Sequence, residues 1–201
     1  MAVDPQTMYV PEFFVRQKIT MMVNQYEVLA ADSDGREGEL LGFAQQKRMA
    51  FKEEVRFYAD RAKTQPAFSF KARKAIDLNA GYDVLDPARQ PIGSFRKDFG
   101  KSLLRSSWHL SGPALEAFGH ERNQTIATLR RVWDFIPFLG EIWVPFIFHF
   151  DFVDNASGQV VMTSERKRSI RDRYVVTVPD PRLDFRLAAS LAVALDALQS
   201  R

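Results

Sequence analysis

The side chains best suited to chemistry in this sequence are basic, and they concentrate in two short stretches. Residues 165–173 hold five basic and two acidic side chains, and residues 89–105 hold five basic side chains against one acidic. Clustered lysine and arginine side chains bind the phosphate oxygens of an anionic leaflet, a phosphoinositide headgroup or a nucleic acid. An ordinary solvated surface is the alternative interpretation. The candidate anion-binding residues are Arg96, Lys97, Lys101, Arg105, Arg166, Lys167, Arg168, Arg171 and Arg173.

A second unusual stretch, residues 133–143, places aromatic and aliphatic side chains around Pro137 and Gly140. A proline and a glycine this close together argue against a regular central strand. The stretch suits a loop that enters a bilayer interface with its tryptophans at headgroup depth, or a loop that docks on a partner protein. The alternative is a lid that plugs one mouth of a barrel. The candidate contact residues are Trp133, Phe135, Phe138 and Trp143.

Residues that could support catalysis or bind a metal form no recognised pattern. Ser106, Ser107 and His109 are close in sequence, but the glycines of a nucleophile elbow are missing around them. The three histidines lack metal-ligand spacing, and the chain contains no cysteine. Glycine motifs that bind phosphates or dinucleotides are also missing. We therefore expect a non-enzymatic protein with neither a cofactor nor a metal.

The composition is that of an ordinary globular chain, with 201 residues, 46% hydrophobic residues and a net charge of +3. Because the charge is mild and the basic stretches are poor in interleaved aromatic residues, nucleic acid is an unlikely partner. The N-terminus lacks a basic start followed by a continuous apolar run, so we expect no export signal. We expect a cytoplasmic protein, and the basic stretches suit peripheral attachment to a membrane.

Two apolar stretches are candidates for membrane spans. Residues 132–153 contain prolines and several ionisable side chains, and the apolar stretch at 183–198 is shorter than the ~20 residues that a spanning helix needs. We therefore expect no transmembrane span.

Most of the sequence alternates with a period of two, which predicts a sheet protein. Polar turns such as residues 32–35 and 154–158 separate the runs, and a spacing of about 8–12 residues between turns is typical of a sandwich or barrel. One run alternates four phenylalanines on a single face, which we expect to line the core; insertion into a membrane is the alternative. These phenylalanines are Phe146, Phe148, Phe150 and Phe152. The predicted strands are residues 17–23, 25–31, 39–46, 54–58, 67–75, 81–85, 92–96, 103–110, 125–132, 145–152, 159–166 and 173–178.

The C-terminal segment predicts a helix over residues 183–198, with Asp180 as its cap and Pro181 in the first turn. Leucine and alanine cover nearly its whole circumference, so it must be buried nearly all round. In a β-rich chain of this size, a sheet wrapped around the helix accomplishes that burial.

Five runs, at residues 82–86, 92–97, 104–108, 174–178 and 184–196, occur in an order that resembles the tubby/scramblase/LURP-one superfamily. The resemblance covers residues 15–200. It implies a mainly β, closed antiparallel barrel of about twelve strands around the buried hydrophobic C-terminal helix. The corresponding domain is residues 15–201, after an N-terminal extension at 1–14.

The functions that this resemblance implies are diverse: phosphoinositide-tethered regulation in tubby proteins, lipid movement attributed to scramblases, and plant defence. The cysteine-rich palmitoylation segment of scramblases is absent, since the chain has no cysteine. We therefore expect a non-enzymatic binding or scaffold domain whose partner is an anionic membrane lipid or a protein. The alternative is a barrel that carries a small apolar ligand, or an enzyme.

Overall fold

The computed structural model describes residues 7–19, 23–47, 54–73, 81–98, 107–122, 149–167 and 173–199. Within these ranges the protein is mainly β, with twelve strands and one helix. The strands are β1 Glu12–Ile19, β2 Val23–Ala31, β3 Glu37–Lys47, β4 Glu54–Tyr58, β5 Pro66–Ala72, β6 Tyr82–Leu85, β7 Pro91–Asp98, β8 Ser107–Gly112, β9 Leu115–Glu121, β10 His149–Asp154, β11 Val160–Lys167 and β12 Arg173–Thr177. The helix, α1, spans Phe185–Gln199.

The described strands form a closed antiparallel barrel in which each strand pairs with the next along the chain. β1 closes the barrel because it pairs with β2 on one side and with β12 on the other. Phe14 marks the closure, since it lies opposite both Leu29 of β2 and Val175 of β12. Closure removes the exposed sheet edges at which other chains could pair. The predicted closed barrel is confirmed.

Helix α1 fills the barrel, as predicted. Every residue from Leu187 to Ala197 is buried. The helix begins slightly later than expected because Asp184, not Asp180, caps it: the Asp184 carboxylate accepts the backbone N–H of Arg186 at 2.8 Å. Alanine at many of the buried positions keeps the helix narrow, so the surrounding sheet can close against it.

Strand residues alternate between the barrel interior and its outer wall. Phe150 and Phe152 are buried in the core, as predicted for the phenylalanine row. Phe146 and Phe148 lie outside the described residues.

Several strand bounds differ from the prediction. β1 begins at Glu12, ahead of the predicted residue 17, and β8 ends at Gly112, beyond the predicted residue 110, while residues 103–106 of that prediction lie outside the described residues. β9 was not predicted, whereas the predicted strand at 125–132 lies outside the described residues. The alternation of β9 is hard to see in the sequence because its buried positions include the small Ala117 and Gly119.

The two rims of the barrel differ in what they contain. Odd-numbered strands all end at one rim, here called the distal rim, where Asp196 near the end of α1 contacts Tyr174 at the start of β12. Even-numbered strands end at the opposite, proximal rim, where α1 begins. There Phe185 packs edge-on against Phe13 of β1, with ring centroids 5.2 Å apart.

Residues before β1 are tied to the proximal rim. The backbone N–H of Met8 donates to the Asp184 carboxylate at 3.1 Å, and the carbonyl of Met8 accepts the N–H of Phe185 at 2.7 Å. The hydroxyl of Tyr9 donates to the carbonyl of Val178 at 3.0 Å. The segment that starts at residue 7 therefore covers the entrance of the helix into the barrel.

Candidate functional site

The three segments singled out in the sequence attach to a single rim. Residues 99–106 join β7 to β8, residues 122–148 join β9 to β10, and residues 168–172 join β11 to β12. Each of these connections follows an odd-numbered strand, so each leaves from the distal rim. Around the barrel, the strands that bear the aromatic segment lie between those that bear the two basic segments.

Several candidate residues lie in these connections and are outside the described residues. They are Lys101, Arg105, Arg168 and Arg171 of the basic stretches and Trp133, Phe135, Phe138 and Trp143 of the aromatic stretch.

Two described candidates, Lys97 and Arg166, face the barrel interior at the distal rim. Lys97 is paired across the ladder with the fully buried Trp108, and its Nζ lies 6.0 Å from the centroid of the Trp108 ring. Arg166 is paired with Tyr174, whose hydroxyl points to the helix. Directly opposed residues share a face of the sheet, so both cations are directed inwards.

Arg173 lies on the outer wall and is engaged there. Its Nε is 2.9 Å from a carboxylate oxygen of Glu37, and its guanidinium carbon lies 4.6 Å from the centroid of the Phe14 ring. The side chain thus covers an outward-facing phenylalanine that would otherwise be exposed. An arginine can do this because its aliphatic stem packs on apolar surface while its guanidinium group keeps its charge for a carboxylate.

Lys167 and Arg96 are exposed, unlike the other candidate anion-binding residues that the structure describes. The Nζ of Lys167 lies 3.9 Å from the Glu165 carboxylate, which also accepts a hydrogen bond of 2.8 Å from Arg122. Arg96 sits on the outer wall opposite His109. Both therefore face solvent near the distal rim, where an anionic partner could reach them.

A polar cluster inside the barrel at the distal rim was missed by sequence reasoning. The buried Asp196 carboxylate accepts hydrogen bonds from the hydroxyls of Tyr174 at 2.5 Å and Tyr26 at 3.1 Å. Gln17 in turn donates to the Tyr26 hydroxyl at 3.1 Å. Burial, followed by the Asp196 carboxylate, raises the pKa of Tyr26 well above its ordinary value, so this phenol remains a donor.

The signal for this cluster was an aspartate within an otherwise apolar helical stretch. A lone carboxylate on a buried helix requires hydrogen-bond donors from the surrounding strands. The sequence does not say which strands supply them. Once formed, the cluster ties α1 to β1, β2 and β12 where the barrel closes.

His109 and Ser111 are each paired with a carboxylate on the outer wall. His109 Nε2 lies 3.3 Å from Asp98, and the Ser111 hydroxyl donates to Glu116 at 2.5 Å. Ser111 is therefore oriented towards a carboxylate and not towards the histidine. In the described ranges no group of three or more His, Asp or Glu side chains could hold a metal ion. No described helix is both long and apolar enough to cross a bilayer.

No curated protein gives a significant match to the sequence. A protein-family model described as LURP-one-related matches residues 42–196. The match runs from within β3 to the last turns of α1 and includes all three segments that attach to the distal rim between β7 and β12. Since the matched region is well over half of the chain, this protein belongs to the LURP-one-related family.

Proposed function

We propose that this protein is a non-enzymatic binding domain whose distal rim docks on anionic phospholipid headgroups, phosphoinositides included. The observation that carries the proposal is the attachment of two basic segments and one aromatic segment to the same rim. A membrane surface is the partner that uses both kinds of residue, since lysine and arginine bind its phosphates and tryptophan favours its headgroup layer.

The filled interior supports a binding domain over a carrier of a small apolar ligand. Such carriers hold their ligand in the lumen of the barrel. Here α1 occupies the lumen, and its residues from Leu187 to Ala197 are buried against the strands. Contacts with a partner are therefore expected on the outside of the barrel and at its rims.

Vesicle cosedimentation tests the proposal directly. The purified protein is mixed with neutral vesicles, vesicles containing phosphatidylserine and vesicles containing a phosphoinositide, each at low and physiological salt. We expect binding to the anionic vesicles only, with weaker binding at higher salt because exposed charges are screened. Failure to bind any vesicle would contradict the proposal and favour a protein partner.

Charge reversal at the distal rim identifies the docking surface. The double variant Lys167→Glu, Arg168→Glu should bind anionic vesicles about 30-fold more weakly, since each basic residue contributes roughly 1 kcal/mol near an anionic surface. Arg166 is left unchanged because it faces the barrel interior.

The matched control is Arg36→Glu, Lys63→Glu. These side chains are exposed in the turns that follow β2 and β4, which leave from the proximal rim, and their reversal makes the same change in net charge. The control should bind like the wild-type protein. Equal losses in both variants would show that net charge, and not the distal rim, determines binding.

A further inference from the structure

Three basic side chains stand side by side on the outer wall, where the barrel closes. Arg173 of β12 lies directly opposite Lys167 of β11 on one side and Arg16 of β1 on the other. Directly opposed residues share a face of the sheet, and like charges in such positions repel one another. These three residues, here called the basic row, therefore need anions to stabilise them.

An anion reaches the basic row from a distant part of the sheet. Glu37, the first residue of β3, contacts the guanidinium groups of both Arg16 and Arg173. In the ladders β3 is three strands away from β12, and the backbone of Glu37 is level with Thr177, four residues from Arg173. With a rise of about 3.3 Å per residue and about 4.8 Å between strands, a flat sheet would hold the two backbones roughly 20 Å apart, further than the two side chains reach together. The hairpin of β2 and β3 therefore folds over the outer wall.

Irregular pairing within the hairpin produces this fold. The register between β2 and β3 shifts twice within residues 28–31, and bulges of this kind bend a strand. At residues 32–37, here called the hairpin tip, the Asp32 carboxylate accepts the backbone N–H groups of Asp34 and Arg36 at 2.9 and 2.8 Å. The exposed side chains of Asp34 and Arg36 contact each other at 3.8 Å. The tip is thus a turn with its own internal hydrogen bonds, joined to the barrel through a bend.

Arg173 is held against the wall by a contact that does not involve Glu37. Its guanidinium carbon lies 4.6 Å from the centroid of the Phe14 ring. Its Nε–H group is buried and forms no hydrogen bond within the described part of the chain, although a Glu37 oxygen lies 2.9 Å from the nitrogen. The carboxylate is therefore near Nε but outside the direction of the N–H bond. A phosphate group, which has three strong acceptor oxygens, could supply this hydrogen bond.

The ionic contacts around the basic row leave positive charge in excess. Five basic and four acidic side chains take part: Arg16, Arg61, Arg122, Lys167 and Arg173 with Glu27, Glu37, Asp151 and Glu165. Lys18, exposed on the same face of β1, adds to the excess. A phosphate monoester is mostly dianionic at neutral pH, since its second pKa is about 6. Exchange of Glu37 for such a dianion therefore brings the set one charge closer to neutrality.

We propose that Glu37 is a built-in competitor at an anion site: Arg16 and Arg173 bind a phosphate monoester once the hairpin tip lifts away, and Glu37 keeps the site closed otherwise. The basic row ends at Lys167, beside the distal rim, so a headgroup phosphate of a docked membrane reaches it, as does a free phosphate ester. For a membrane headgroup the inference rests on the proposed function, whereas the site itself does not.

The exchange is favoured by the exposure of the two arginines. Their side chains are 34% and 36% accessible, so an anion in solution reaches them without unfolding of the barrel. Ion pairs with this much exposure are weak, because water screens them. A phosphate group forms two parallel hydrogen bonds with a guanidinium group, which favours it over a single shared carboxylate.

A lipid-free titration tests the competition. Inositol trisphosphate, which carries phosphate monoesters, is titrated by calorimetry into the wild-type protein and the Glu37→Gln variant. The variant keeps the shape of the side chain but loses the competing charge, so we expect it to bind about tenfold more tightly. The gain should disappear in Glu37→Gln, Arg173→Gln, because one of the two guanidinium groups is missing.

The matched control is Glu39→Gln, which removes the same charge from an exposed position two residues along β3. It should bind inositol trisphosphate like the wild-type protein. Equal affinity of Glu37→Gln and wild type would overturn the proposal. An equal gain in both variants would also overturn it, since net charge alone would then explain the effect.

Movement of the hairpin tip is measured without changing Glu37. Because the chain contains no cysteine, Ser33→Cys and Gln159→Cys introduce the two sites needed for spin labels. Both positions are exposed, one in the tip and one in the turn before β11. We expect saturating inositol trisphosphate to lengthen the distance between the labels. An unchanged distance would contradict displacement of the tip.

Vesicles containing a phosphoinositide separate this inference from membrane docking. If the protein binds the vesicles but Glu37→Gln changes neither that binding nor the binding of inositol trisphosphate, the site is overturned and membrane docking stands. If inositol trisphosphate lengthens the label distance in a protein that binds no vesicle, the site stands and its ligand is a free phosphate ester.

Discussion

Small residues on the inner face decide how closely the aromatic core can pack. Gly119 of β9 lies between Trp108 of β8 and Phe152 of β10 in the ladder. A Cβ atom at Gly119 would lie 2.1 Å from a ring carbon of Phe152, far inside van der Waals contact. The glycine therefore provides the space that the Phe152 ring occupies.

Replacing Gly119 by alanine tests this role. Phe152 is fully buried and its ring would have to shift within the core, so we expect the Gly119→Ala variant to lose about 1–3 kcal/mol in the free energy of unfolding. Gly112→Ala is the control, because the nearest atom to a Cβ there, a methyl carbon of Leu187, is at an ordinary 3.5 Å. Urea denaturation measures both, and equal midpoints would contradict the packing argument.

The cluster around Asp196 shows which residue-level features escape sequence analysis. The aspartate itself is visible as a polar interruption of an apolar helix, but its donors Tyr26 and Tyr174 lie far away in sequence. Only the closure of β1 against β12 brings those two strands to the same side of the helix. Hydrogen bonds between distant strands depend on register, which single-sequence patterns do not determine.

Among the elements, strands with a strongly apolar inner face were the predictable ones. β4 and β12 alternate clearly, and their predicted and observed ranges agree to within a residue. β9 escaped prediction because Phe118 is on its outer face while Gly119 and Glu121 are on its inner face, which weakens the expected contrast between apolar inner positions and polar outer positions.

For the candidate site, the basic and aromatic stretches were visible in the sequence, but their attachment to one rim follows only from the strand order.

The entry to α1 is fixed by an ionic cluster that links it to the β10–β11 turn. Arg182 contacts the Asp154 carboxylate at 3.0 Å and that of Asp180 at 2.5 Å. A hydrogen bond from Ser157, and then one from Arg182, lowers the pKa of Asp154 to about 2. The turn and the start of the helix are thus held together by an ionised carboxylate.

This arrangement makes part of the stability depend on pH. Because the folded-state pKa of Asp154 is depressed, its contribution is fully present above the unfolded-state value of about 4. The contribution is lost as the pH falls from about 4 to about 2. The free energy of unfolding of wild type should therefore exceed that of Asp154→Asn at pH 5, and the difference should shrink towards pH 2.

Denaturant titrations of both proteins between pH 2 and pH 5 measure this difference. In the Arg182→Gln background the effect of Asp154→Asn should be smaller, because one of the two main causes of the pKa shift has been removed. A difference that stays constant over the whole pH range would contradict the assignment of the ionic cluster.

At the scale of the whole molecule, the two rims hold different contacts of the helix. The proximal rim holds the contacts that fix the start of the helix, which include the segment at Met8, the cap at Asp184 and the cluster around Arg182. The distal rim holds the segments that we propose to contact a membrane. Because the entrance of the helix lies at the opposite end of the barrel, charges on the distal rim can change without loosening it.

The barrel and its helix should unfold as one unit, because the strands have no other core to close around. Leu191 lies at the centre of α1 and is fully buried, so the variant Leu191→Asp places an unpaired carboxylate in the lumen. That costs several kcal/mol, a large part of the ~5–15 kcal/mol that stabilises an ordinary domain. We expect the variant to lose the β-sheet signal in circular dichroism together with its solubility.

The control Val160→Asp also replaces an aliphatic side chain by a carboxylate, but at a position that is 42% exposed, and it should fold like the wild-type protein. A folded Leu191→Asp variant with an unchanged melting midpoint would mean that the strands close without the helix, and would remove the physical reason for a barrel of this size.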